Sequence, residues 1–167
     1  MDLGESIVGA YFRHVRKCHT VAFNQFLPHQ QGEIDVIGLA ELGGRQEVWM
    51  AEVAVHIKGL NYGDPAATAA KIGKKVAAAR AHALEVYRDD DPVVEFWSPN
   101  VPPGMASLLS AVDVRLVINE EFTDRVNVLA AIAAKTAKTY GDPAFRFLQI
   151  LTHLRGPDRP TFTPPRT

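Results

Sequence analysis

At 167 residues the chain is long enough to bury one domain's core. Hydrophobic residues make up 47% and charged residues 22%, a globular balance that excludes a disordered or collagen-like chain. Eighteen Lys and Arg against 19 Asp and Glu give a net charge of −1, which excludes a histone-like polycation and leaves room for a local basic surface.

The opening segment, residues 2–17, is predicted helical, because Leu3, Ile7, Tyr11 and Val15 recur every four residues with Val8 and Phe12 beside them. Three strands follow at 20–27, 33–40 and 47–57, separated by the turn signals HQQG and ELGGRQ. Such short connections predict an antiparallel meander. GLNYGDP is a loop, and Pro65 suits the first turn of a helix over about 66–88 with Ile72, Val76, Ala79 and Ala83 on one stripe. PVVEFWS (92–98) reads as a buried strand, then come a helix at 103–110, a strand at 112–119 and helices at about 121–140 and 142–154. A long helix between the third and fourth strands is the connection a parallel pair requires. The expected fold is α/β: a central mixed sheet, an antiparallel three-strand meander plus parallel strands, flanked by helices. Residues 1–154 form the single expected domain, and 155–167, rich in proline, an extended or disordered tail.

The single cysteine, Cys18, excludes an internal disulfide framework and a zinc site made of cysteines alone. The N-terminal stretch lacks the pattern of a signal peptide, and no apolar run reaches the roughly 18 residues of a membrane span. A cytoplasmic protein with no membrane contact is expected.

Two carboxylates stand out. In EIDVIGLA, Asp35 falls on the side of Ile37 and Leu39, and a carboxylate on an apolar face needs a partner or a task. In EVWMAEVAVHI, Glu52 falls opposite Trp49, Ala51 and Val53, among Val48, Met50 and Ala54. Neighbouring strands bring such residues within about 5–8 Å, where like charges repel unless a cation lies between them. Mg²⁺ suits that position, with Mn²⁺ as a substitute, because both accept carboxylate oxygens. The blander alternative is a pair of strand-end acids facing solvent.

The Asp35-x₁₆-Glu52 spacing, in GEIDVIG followed by VWMAEV, resembles the PD-(D/E)xK nuclease superfamily. The element order over residues 2–118 is similar to its restriction-endonuclease-like fold. The resemblance implies a Mg²⁺-dependent endonuclease that hydrolyses a phosphodiester, with DNA the expected substrate ahead of RNA. It implies that Asp35 and Glu52 ligate the metal and that Glu5, on the first helix, completes the set. It also implies a lysine two residues after the glutamate, where this chain has Ala54.

Three readings of that departure stay open. His56 could contact substrate, although four strand residues place it about 13 Å along from Glu52, poorly placed to share the same water. A lysine could reach the site from the helix after the third strand, where Lys71 and Lys75 lie one turn apart with His82 on the same flank, and Lys75 borders the core stripe. Or the fold persists as an inactive module that binds nucleic acid or a partner protein. Further substrate-contact candidates are Gln25, Lys71 and Tyr62, and the last two helices offer a homodimer interface. The scattered histidines lack zinc-ligand spacing, and no Walker loop, GxGxxG or GxSxG occurs.

Overall fold

Five strands lie side by side in the order of the chain, β1-β2-β3-β4-β5. The structure, a computed structural model, describes residues 2–27, 32–56, 60, 64–138, 141–158 and 160–162. Helix α1 (Leu3–His14) leads into β1 (Thr20–Phe26), β2 (Glu33–Leu42) and β3 (Arg45–Val53), which pair antiparallel. Helix α2 (Pro65–His82) then crosses to β4 (Val93–Ser98), α3 (Pro103–Leu109) to β5 (Arg115–Ile118), and both new pairings are parallel. Helices α4 (Glu120–Ala133) and α5 (Pro143–His153) close the chain. The α/β class and the mixed sheet are therefore as expected. No helix among the described residues is long and apolar enough to cross a membrane.

Each face of the sheet has its own core. On one side Ile72, Val76 and Ala79 of α2 and Leu109 of α3 pack on Ile37, Met50 and Phe96. On the other, Val8, Tyr11 and Phe12 of α1 and Phe122 of α4 cover Val36, Trp49, Trp97 and Val117. A third cluster joins α1, α4 and α5 through Ala10, Leu129 and Phe145. Helix α5 is further tied to α1 by Asp142, which accepts from Arg13 and from His14 Nε2 (3.1 Å), with the His14 ring stacked on Phe145. Gly4 lets the start of α1 lie directly on the sheet, since a Cβ there would collide with Val55.

Several boundaries differ from expectation for identifiable reasons. β3 stops at Val53 instead of running to 57: the Ala54 N–H donates the last bond of the ladder to Trp97 O on β4 (2.9 Å), and the chain then turns on itself, with the His56 N–H donating to Ala54 O (3.2 Å). α2 ends at His82 and continues as a π-helical turn, Ala83–Tyr87, closed by Arg88 in the left-handed region. α4 ends at Ala133, short of 140. In the tail, Phe162 packs against the α1–α4–α5 cluster, so that part is docked; residues 163–167 lie outside the described residues.

Candidate functional site

The sheet forks where the two anomalous carboxylates stand. β2 and β3 are paired from Leu42↔Arg45 to Val36↔Ala51. One residue further, at Asp35 and Glu52, that ladder ends. β2 continues with β1 alone through Gln25↔Ile34 and Phe26↔Glu33, while β3 continues with β4 alone through Glu52↔Phe96 and Val53↔Trp97. The cause is visible in the hydrogen bonds: Asp35 Oδ2 accepts the Val53 N–H at 2.7 Å, so a side chain takes a backbone donor at the crotch of the fork. Across β1 the ladder skips Asn24, whose φ of 50° is a left-handed conformation that asparagine tolerates. The pleat is disturbed as well. Ile34 packs with Ile37 and Val48 beside α2, whereas alternation from Val36 and Ala40 would turn it towards α1.

Into this fork α2 delivers one cation. Its apolar stripe fixes the helix on the sheet through Ile72, Val76 and Ala79, all buried. Lys75, adjacent to that stripe, is half-buried and its ammonium donates to Glu52 Oε1. A shallow depression lined by Glu33, Ile34, Glu52, Lys75 and Val76 opens beside the pair. Ala54, at the position of the absent lysine, is buried in the core under α2 and has no access to the fork.

The electrostatics follow from this crowding. Burial, first, and then the Asp35 charge push the Glu52 carboxyl up to about 7, although Lys75 opposes the rise. Asp35 is 6% exposed, and burial raises its pKa too, against the Val53 N–H and Lys75, which favour its charged form. Two oxygen donors that repel one another in a partly closed cleft suit a divalent cation of the Mg²⁺ or Mn²⁺ kind, which relieves that repulsion and needs only one or two carboxylates besides water.

The other expected site residues are dispersed. Glu5 is close enough for its charge to raise Asp35, yet its Oε2 accepts from Asp2 N–H (2.9 Å) in a capping box at the start of α1. No group of three or more His, Cys, Asp or Glu able to hold a metal occurs among the described residues, so the expected three-carboxylate set reduces to a pair. His56 lies past the end of β3, exposed, and not on a strand face. Lys71 is exposed one turn before Lys75, and Gln25 is exposed on β1 beside the fork. His82 departs from the lysine flank: it is buried against Tyr87. Tyr62 lies outside the described residues. Glu33, the acid two residues before Asp35 and a cleft-lining candidate from sequence, lines the depression.

A roomier hollow lies at the opposite ends of β3 and β4, lined by Arg45, Glu47, Asp89 and Asp91. Asp89 there accepts the Val48 N–H (3.2 Å) and serves the backbone. Comparison of the chain with protein-family models, with curated proteins and with solved structures finds no match in any of the three.

Proposed function

We propose that the fork is the centre of a Mg²⁺-dependent phosphodiesterase of the PD-(D/E)xK kind, cutting DNA, with its lysine supplied by α2. The observation that carries this reading is the bond from Lys75 to Glu52 beside Asp35, which returns an ammonium to a site where Ala54 supplies none. Asp35 and Glu52 would hold the metal. When bound, Mg²⁺ would supply a Lewis acid for water activation and for the charge that develops on the phosphodiester. The chain's own contributions are distinct. Asp35, fixed by the Val53 N–H, sets the position of the carboxylate pair. Lys75, which lines the depression, would offer its positive charge to a phosphate oxygen or the attacking water. Glu52, raised to about 7 in the metal-free chain, would give up its proton when the metal binds.

The test is Mg²⁺-dependent nicking of a supercoiled plasmid. Asp35→Asn and Glu52→Gln should each abolish it while leaving the circular-dichroism spectrum intact, and cleavage surviving both changes overturns the reading. A second reading is favoured by one feature: Lys75, Glu52, Asp35 and the Val53 N–H already satisfy one another. A closed fork of that kind would belong to a nuclease-like module that binds DNA without cutting it, and it predicts DNA binding by electrophoretic shift with no Mg²⁺-dependent nicking.

A further inference from the structure

On the α1–α4 face of the sheet a second charged cluster is built around Glu95, which is 0% exposed. Each of its oxygens has one hydrogen bond. Trp97 Nε1 donates to Oε2 at 2.9 Å, and Arg125 Nη1 donates to Oε1 at 3.1 Å. Arg125, itself buried, spends its Nε on Glu121 (2.8 Å) and lies over the Tyr11 and Trp97 rings. That pair is complete: the buried acid needs no further cation.

Two more guanidiniums nevertheless converge on the same oxygen. Arg16 Nη2 and Arg115 Nε each stand 3.8 Å from Glu95 Oε1, beyond hydrogen-bond range, so the two nitrogens are at most twice that distance apart. Arg115 enters from β5, beside Glu95 in the parallel register, and its side chain is 53% exposed. Arg16 lies over Trp49, its guanidinium carbon 4.3 Å from the centre of the ring, and its buried Nε has no hydrogen-bond partner. Three guanidiniums stand among three carboxylates, Glu95, Glu121 and Glu47, the last accepting from Trp49 Nε1 (3.3 Å), and the donors of Arg16 and Arg115 are the ones these acids leave unspent.

We infer that Arg16 and Arg115 form an oxyanion site for a phosphoryl group, separate from the fork and on the other face of the sheet. Planar guanidiniums with free N–H donors match phosphate oxygens, and the Trp49 ring beside Arg16 has already removed part of the entropy cost of holding that one. The phosphoryl group can come from inorganic phosphate or from a nucleic-acid strand, and the two sources are separable by experiment.

The test uses the whole chain without divalent ions. Potassium phosphate is titrated at pH 7 against potassium chloride of matched ionic strength, with tryptophan fluorescence as readout because Arg16 lies on Trp49. A saturable response to phosphate and none to chloride is expected. Arg115→Gln and Arg16→Lys should each weaken it at least fivefold, while Arg45→Gln, at the far turn of β3, leaves it unchanged. Arg115 is exposed enough for its replacement to spare the fold, and Arg16→Lys keeps the charge while removing the planar fork. Competition by a 5′-phosphorylated 12-mer alone assigns a strand end, equal competition by the 5′-hydroxyl 12-mer assigns the backbone, and neither competing assigns free phosphate. No saturable phosphate response, or an equal response in Arg115→Gln, overturns the site. The same titration on Glu52→Gln must succeed, so its failure and that of the nuclease reading are distinguishable.

Discussion

Lys75 and Glu52 stand 23 positions apart in the chain and are joined by a hydrogen bond from α2 to β3. That bond holds the only cation drawn to a pair of carboxylates at the fork among the described residues, and most of the site's testable behaviour follows from it.

The first expectation concerns pH. The folded-state Glu52 pKa, about 7, exceeds its ordinary value of 4.5, so between these values the folded protein holds more proton than the unfolded chain. Stability from this group is therefore greatest below pH 4.5 and declines as pH rises towards 7 and beyond. Asp35 is shifted in the same direction. Glu52→Gln should be about 2–3 kcal/mol more stable than the parent at pH 8, with the difference vanishing near pH 5, by urea denaturation. His14, whose pKa burial lowers, runs the opposite way, losing stability as pH falls through 6.5, and cancels between the two proteins. Parallel curves from pH 5 to 8 would mean that neither burial nor the Asp35 charge raises the Glu52 pKa.

Metal binding should carry the inverse signature. Mg²⁺ and a proton compete for Glu52, so affinity measured by calorimetry should rise as pH increases from 5.5 to 8, up to about tenfold per unit below the Glu52 pKa. Asp35→Asn should remove the binding. Affinity independent of pH would place the ion elsewhere.

Lys75→Met separates chemistry from metal holding. Plasmid nicking should fall at least about 100-fold, the order expected for losing a positioned charge at a reacting phosphate, while Mg²⁺ binding persists. Unchanged nicking would remove Lys75 from the proposed mechanism.

The Glu95 cluster gives a stability prediction. Arg125→Met strips the one guanidinium that hydrogen-bonds a wholly buried carboxylate, and should cost about 3–5 kcal/mol in urea. Adding Glu95→Gln should recover part of that loss, and strict additivity of the two changes would show that they do not interact.

Much of this arrangement was legible in the sequence. The stripe Ile72, Val76 and Ala79 placed α2 on the sheet, and Lys75 at its border followed from helical spacing. The carboxylates betrayed themselves by sitting in apolar strands. The end of β3 was not legible, since periodicity reports burial and not pairing: Ala54 is buried and Val55 half-buried although the ladder has stopped. The Glu95 cluster was hidden differently. An acid within VVEFWS was signal enough to ask for a partner, but Arg16, Arg115 and Arg125 come from three separate places in the chain, and only the register of β4 with β5 and the docking of α1 and α4 unite them.

The forked sheet also has a temporal meaning. Because strand order follows chain order, β1, β2 and β3 can assemble from hairpins as soon as they leave the ribosome, with only local loops to close. At that stage Asp35 and Glu52 are together, and Lys75 is still to come. A meander formed on its own would bear those like charges without Lys75, until α2 lies down and β4 takes the free side of β3. The carboxylate pair at the fork thus ties the stability of the early half of the fold to the arrival of the later half.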